Sequence, residues 1–320
     1  MRTGRTTSTR RASSHKGSTA GTSAPHPSLL TQCARVQACS LSTSLRWSEQ
    51  TDIPVSLHSC SQPVGTGFSY SSELRKDIAH DEDTVARDLA NFLKELLVKY
   101  PNLDRNLYIT GESYAGHYEP ALAHKLLSFE TGFDLKGVLL GNPLIAPKAH
   151  YKAYPEFAYD NGLISRFTKR AMDAAFEKTC APAIDKCHEQ SSENGTASAT
   201  AACTAALDMC EAECFTPVSA EAPLHTKHSF NPYDISTPCE NGSLCYDFSA
   251  IGSFLNNETV KEQLGVSGHD WQEVSQRVHV ALSTTDWMQN LEVRKRLSVK
   301  YSSLMQCRAL LRALVSPIEQ

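Results

Sequence analysis

The stretch from Asn106 to Pro143 constrains the fold more than any other part of the chain. A short apolar run, Asn106-Leu107-Tyr108-Ile109-Thr110, predicts a strand. Gly111-Glu112-Ser113-Tyr114-Ala115-Gly116 then predicts a tight turn, and Tyr118 to Phe129 a helix with Leu122, Leu126 and Leu127 turned inward. Leu135 to Leu140 predicts a second strand, closed by Gly141-Asn142-Pro143. Strand, turn, helix, strand is a βαβ unit. Its strands lie parallel, because the helix carries the chain back to the end of the sheet from which it started, so the fold class is α/β. Upstream, Val85, Leu89, Phe92, Leu93, Leu96 and Leu97 share one face of a helix over 82–99, which Pro101 stops.

The turn carries the chemistry. A serine held between a strand end and a helix start points its hydroxyl out above the sheet edge. Neighbouring backbone N–H groups then sit at a helix N-terminus, ready to stabilise an oxyanion. Ser113 occupies that place, and the N–H of Tyr114 is the next donor along. Strand and helix nearly touch there, so the positions two residues to either side must be small. Gly111 and Ala115 meet the requirement, Ala standing where a second Gly is more usual. The plainer alternative is a loop whose serine caps the helix; the flanking strand and helix favour the nucleophile.

Composition excludes several classes. With 320 residues, 41% hydrophobic and 21% charged, the chain is globular in type, and no apolar run approaches the roughly 18 residues of a spanning helix. A net charge of −4 gives no basic surface for nucleic acid. The charge is unevenly spread: residues 1–48 hold seven Lys/Arg and no acid, and are rich in Ser and Thr. They show neither strand alternation nor a helical stripe, and no apolar stretch of the kind a secretory signal needs. Their composition matches a transit peptide, or a start that is not the protein's natural one. From Leu291 onward the chain is again basic, with Arg294, Lys295, Arg296, Lys300, Arg308 and Arg312. Residues 1–50 and the last 20 or so are expected to pack poorly.

Of eleven cysteines, seven (Cys180, Cys187, Cys203, Cys210, Cys214, Cys239, Cys245) fall between residues 180 and 245. No CxxC occurs, and only His188, His225 and His228 lie among them, so zinc is the weaker reading and no metal or other cofactor is expected. Three Asn-x-Ser/Thr sequons, at Asn194, Asn241 and Asn257, favour an oxidising, secretory-route compartment over a set of reduced core thiols. Cys239 and Cys245 bracket a short loop suited to closure, and an odd count leaves at least one thiol without a partner.

The segment 111–118, Gly-Glu-Ser-Tyr-Ala-Gly-His-Tyr, resembles the nucleophile motif of the serine carboxypeptidases. Gln62-Pro63-Val64-Gly65-Thr66-Gly67-Phe68-Ser69-Tyr70, Gly137 to Pro143, Asn231-Pro232-Tyr233-Asp234-Ile235, Cys239 to Cys245, Val260-Lys261 and Asp286-Trp287-Met288 follow in the family's order. The resemblance spans about residues 62–288. It implies an α/β-hydrolase fold, a parallel-rich sheet with flanking helices, and an exopeptidase of the secretory route, vacuolar or extracellular. Its partners would be peptide or protein C-termini. By the same resemblance Ser113 is the nucleophile, Tyr114 supplies one oxyanion-hole N–H, and Glu112 helps hold the substrate carboxylate through a shared proton. Taken without the resemblance, Glu112 reads as a solvated acid in a helix's first turn. His117 sits one turn into the helix and reads as a packing residue rather than the base.

Departures from the family pattern accompany the matches. No Trp-Asn-Gly-Gly-Pro-Gly-like motif, the source of the second oxyanion donor, occurs in residues 1–61, and Ser56 to Ser61 is a poor strand. Residues 289–320 contain no histidine, so the order Ser, Asp, His would need Asp234 or Asp247 with His269 or His279. Such a substitute triad is disfavoured; the triad Asp and His stay unassigned, and the chain as written is expected to be inactive. By the resemblance, the chain is expected to divide into an unpatterned basic segment (1–61), a hydrolase core (62–150), a helical cysteine-rich cap (151–285) and an atypical core return (286–320), the family's fold being incomplete at both ends. Three functions remain open: a serine carboxypeptidase, a serine carboxypeptidase-like acyltransferase, and a non-catalytic homologue that binds.

Overall fold

In the computed structural model the described residues are 58–191, 197–240 and 245–288, together with the short strands 39–41 and 305–306. The remaining parts of the two ends, and the sequons at Asn194 and Asn241, lie outside them.

Helix α2 (Glu82–Lys99), preceded by the single turn α1 (Leu74–Asp77), shows how local chemistry sets an element's limits. Asp81 caps it by accepting from the Thr84 N–H at 2.7 Å, and Glu82 and Asp83 fill the first turn. Tyr100 closes it just before Pro101, and Val85, Leu89, Leu96 and Leu97 are buried as the periodicity requires. Strand β3 (Asn106–Glu112), helix α3 (Ala115–Leu126) and strand β4 (Asp134–Gly141) follow. The expected βαβ unit forms, with β3 and β4 parallel from Asn106 opposite Asp134 to Glu112 opposite Gly141. A bulge between Leu107 and Tyr108 lets Leu135, Val138 and Leu140 all face inward despite their uneven spacing. A two-residue strand, β5 (Met305–Gln306), lies parallel on the far side of β4, giving the order β3-β4-β5.

Two details differ from the sequence reading. Helix α3 runs three residues earlier at each end than the expected Tyr118 to Phe129; it begins at Ala115 because tertiary bonds at the turn hold its Gly- and His-containing first turn, and it ends at Leu126. Within the segment read as unpatterned, β1 (Cys39–Leu41) and β2 (His58–Cys60) pair antiparallel, backbone pairing replacing the apolar alternation that would have signalled them.

The cysteine-rich part is helical: α4 (Pro147–Asp160), α5 (Arg166–Ala175), α6 (Ala181–Ser191), α7 (Ala197–Cys210) and α8 (Thr216–Thr226). Single π-helical turns, Phe176–Cys180 and Glu211–Phe215, join α5 to α6 and α7 to α8. Helix α4 starts at Pro147, four residues ahead of residue 151, where the cap was expected to begin. Disulfides link Cys180 to Cys210 and Cys187 to Cys203. The nested pairing makes α6 and α7 antiparallel, and a spacing of seven positions from one cysteine to the next on each arm is close to two helical turns, so both bonds lie on the facing sides. Cys239 and Cys245 also pair, and Cys214, fully buried, is the one free thiol among the described residues. After these come α9 (Ser249–Leu255), α10 (Glu258–Leu264) and α11 (Gln276–Ser283). Val278 and Leu282 of α11 pack on Val85, Leu89, Tyr118 and Leu122, roofing the α2–α3 pair. No described helix is long and apolar enough to cross a membrane.

Candidate active site

Ser113 lies between β3 and α3 with φ of 59°, a left-handed conformation that costs a non-glycine residue about 1–3 kcal/mol. The surrounding backbone imposes it. The Ser113 N–H donates to the Gly141 carbonyl at 3.1 Å, and the Ser113 carbonyl accepts from Gly116 at 3.0 Å and Leu144 at 2.8 Å. Two glycines make room. A Cβ at Gly111 would stand 1.9 Å from Glu119 Oε1 and 2.6 Å from Ala115 Cβ; one at Gly116 would stand 2.5 Å from the Leu144 carbonyl oxygen. The side chain of Ser113 is therefore lifted out of the sheet edge, and Ser113 is exposed.

Glu112 and Tyr114 flank it. Glu112 is the last residue of β3 and exposed, so it is not the first-turn helical acid of the plainer reading. Tyr114 is the N-cap of α3, and no side chain caps that helix; the Gly116 and His117 N–H groups are taken by the Ser113 and Tyr114 carbonyls. The ring of Tyr114 turns inward, stacking on His117 at 4.9 Å and meeting Trp287 at 5.3 Å. Its hydroxyl donates to Asp286 Oδ2 at 2.8 Å.

His117 is buried, its Nδ1 at 2.6 Å from the Leu144 carbonyl, and it tethers the elbow to the segment after β4. His269 stacks on Tyr70 at 3.5 Å, and His279 is exposed with its ring edge-on to Trp287. Asp234 accepts from Ser236 and Asp247 from Ser249, each closing its own turn, and neither is hydrogen-bonded to His269 or His279. A hollow of about 660 Å³ beside the N-terminus of α2, bordered by Val64, Ile78, His80, Thr84 and Arg87, includes none of residues 112–114.

Three acids beneath the elbow escaped sequence reasoning. Glu82 and Asp286 are 6% and 4% exposed, and Glu119 is 8% exposed. Burial raises Glu119 to about 8. Burial first, then the neighbouring Asp286 and Asp81, hold Glu82 far above the ordinary carboxyl range. Tyr114 and Tyr118 are likewise pushed up, chiefly by burial and then by these acids. His150 is pushed down by burial and by His117. Only Asp286 stood in a recognisable motif, and no local signal distinguishes Glu82 from an ordinary helix-start acid.

A parallel sheet with a left-handed serine at a strand-to-helix elbow is the arrangement of the α/β-hydrolases. The family model described as serine carboxypeptidase matches residues 42–306, a wider span than the 62–288 over which motifs are recognisable. The chain belongs to the serine carboxypeptidase family. It is 38% identical over 258 residues to serine carboxypeptidase-like 48 of Arabidopsis thaliana, covering 78% of this chain and 48% of that protein. It is 40% identical over 238 residues to serine carboxypeptidase 3 of Oryza sativa subsp. japonica, covering 72% and 44%. The chain thus spans about half the length of the curated relatives it matches. The crystal structure of Kex1Δp, a prohormone-processing carboxypeptidase from Saccharomyces cerevisiae, superposes with a TM-score of 0.58 at 23% identity, over 77% of this chain and 54% of that one. That likeness is one of fold.

Proposed function

We propose that this chain carries the nucleophile half of a serine-type carboxypeptidase, with Ser113 forming the acyl-enzyme. The observation that supports it most is the left-handed Ser113 on an elbow whose two glycines admit no side chain. In this reading Ser113 Oγ attacks the carbonyl carbon of the last peptide bond, and the oxygen that gains charge turns to the N–H of Tyr114. Glu112, exposed beside Ser113, shares a proton with the substrate's terminal carboxylate, so binding weakens once both acids ionise. The helical, disulfide-tied region after β4 acts as a cap over the site.

The reaction also needs a general base and a second oxyanion donor. His269 stacks on Tyr70 and His279 lies edge-on to Trp287, Asp234 and Asp247 close their own turns with no hydrogen bond to either histidine, and residues 289–320 hold no histidine. Loss of the base lowers turnover by on the order of 10⁴–10⁶. We therefore infer that the 320-residue chain by itself is inactive. Family, disulfides and the exposed sequon at Asn257 together favour the secretory route. Asn257 Oδ1 accepts from Thr259 and Val260 as the cap of α10, a role an attached glycan on Nδ2 leaves intact.

The test is labelling with an organophosphorus serine reagent alongside release of C-terminal residues from peptides. The chain alone is expected to do neither. Completed with the flanking portions of a plant relative, it should do both, best at mildly acidic pH, and Ser113→Ala should abolish both. Strong labelling of the chain alone, lost in Ser113→Ala, overturns the inactivity; no labelling of the completed protein overturns the nucleophile. Transfer to an added alcohol in place of water would mark an acyltransferase.

A further inference from the structure

Beneath the elbow, three segments far apart in the chain meet at one buried polar point. Tyr114 of the elbow donates to Asp286, 172 residues downstream. Glu82, in the first turn of α2, is raised by burial and by the same Asp286 carboxyl, and no donor group of the described residues reaches either of its buried oxygens. The turn after α11 that carries Asp286 is pinned from both sides. The Asp286 N–H donates to Leu282 at 2.8 Å, and the Thr285 hydroxyl donates to the His80 carbonyl, just ahead of α2. The titratable neighbours are Asp81 on the α2 side and Tyr114, His117 and Tyr118 on the α3 side, with His117 stacked on the Tyr114 ring.

Two ionised carboxylates this close and this buried would repel strongly, and the pair relieves the repulsion by keeping one proton between them. We propose that Glu82 and Asp286 form a proton-sharing positioning pair. Asp286 accepts from Glu82 on one side and from the Tyr114 hydroxyl on the other, and so fixes the backbone N–H of Tyr114 at the elbow. Neither acid touches substrate in this scheme; both act through Tyr114. The inference rests on the reading of Tyr114 as oxyanion donor, and it adds a reason why the residue after the nucleophile is a tyrosine. Its ring is a strut between the elbow and a buried acid.

Two features favour positioning over simple packing. A tyrosine that only filled space would not aim its hydroxyl at an acid, and phenylalanine would fill the same volume without the cost of burying a hydroxyl. Moreover, the strut ends on a turn that is itself tied to His80, the residue before the N-cap of α2, so the elbow is referenced to the entry of that helix.

Amide hydrogen exchange of the full chain, corrected for the intrinsic pH dependence, tests this without requiring turnover. Tyr114→Phe and Glu82→Ala should speed exchange in peptides covering 108–118 by about 10-fold, the loss of one hydrogen bond to a charged acceptor. Peptides from the disulfide-tied hairpin 181–210 should keep the parental rate. Glu82→Gln, whose amide can donate to Asp286 in place of the shared proton, should restore protection. Strongly alkaline solution should open the elbow in the parent but not in Glu82→Gln. The proposal is overturned if Tyr114→Phe and Glu82→Ala leave 108–118 unchanged. It is also overturned if all segments loosen together, or if Glu82→Gln behaves as Glu82→Ala. An unreactive Ser113 with the expected exchange pattern would refute the nucleophile and leave the pair standing.

Discussion

Glu119 offers the sharpest test of the energetics under the elbow. It lies on α3 against Gly111, its Oε2 is buried with no hydrogen-bond partner, and burial raises it to about 8. An unfolded chain would titrate it near 4.3. Below that value the acid is neutral in both states and costs nothing extra. Between about 4.3 and 8 the unfolded chain releases a proton that the folded chain keeps, so stability falls as pH rises, by at most about 1.4 kcal/mol per pH unit. The full window would amount to about 5 kcal/mol, and relaxation and water entry around the ionised group reduce this to about 2 kcal/mol. Glu119→Gln, equal in size and always neutral, removes the titration. Urea unfolding at pH 5 and pH 8 should then find the variant within about 1 kcal/mol of the parent at pH 5 and about 2 kcal/mol more stable at pH 8. Taking the difference between variant and parent cancels every other titrating group, Glu82 included. An equal gap at both pH values, or a parent that gains stability from pH 5 to 8 relative to the variant, would refute the reasoning.

Ser113→Gly should unfold at a higher urea concentration than Ser113→Ala, by an equivalent of about 1 kcal/mol, because only glycine relieves the φ of 59°; equal midpoints would show that the elbow carries no strain. Gly116→Ala should destabilise by about 2–4 kcal/mol, since its Cβ meets backbone, the Leu144 carbonyl oxygen at 2.5 Å, and backbone cannot swing aside; thermal melting reads it. Replacing Cys180 and Cys210 together by serine should cost about 2–4 kcal/mol and loosen 176–215 selectively in limited proteolysis, and a digestion pattern like the parent's would count against a hairpin held by these bonds.

What was legible in the residues was local. The buried face of α2 follows from the apolar period and its end from Pro101, both within one helix length, and the structure reproduces 82–99 to the residue. The βαβ unit and the elbow were readable because the two glycines and the serine fall within six consecutive residues, and short-range sterics decide such a turn. Cys239 and Cys245 were readable as a pair because only a short loop separates them.

Tertiary contacts decided the rest. In sequence Glu82 is one more acid at a helix start, where solvent and the helix dipole both suit it; in the folded chain α11 and its following turn, some 200 residues later, bury it against Asp286. The nested pairing of Cys180 with Cys210 and Cys187 with Cys203 depends on which faces of two helices meet, which spacing alone leaves open among several connectivities. The early start of α3 at Ala115 depends on bonds from Gly141 and Leu144, carried in by the returning strand. The sequence by itself determined where the chain turns and which residue stands at the apex, because those depend on neighbours along the chain. The tertiary structure decided which acids are buried and which tyrosine they hold, because desolvation depends on every segment that closes over a group and not on the few residues beside it.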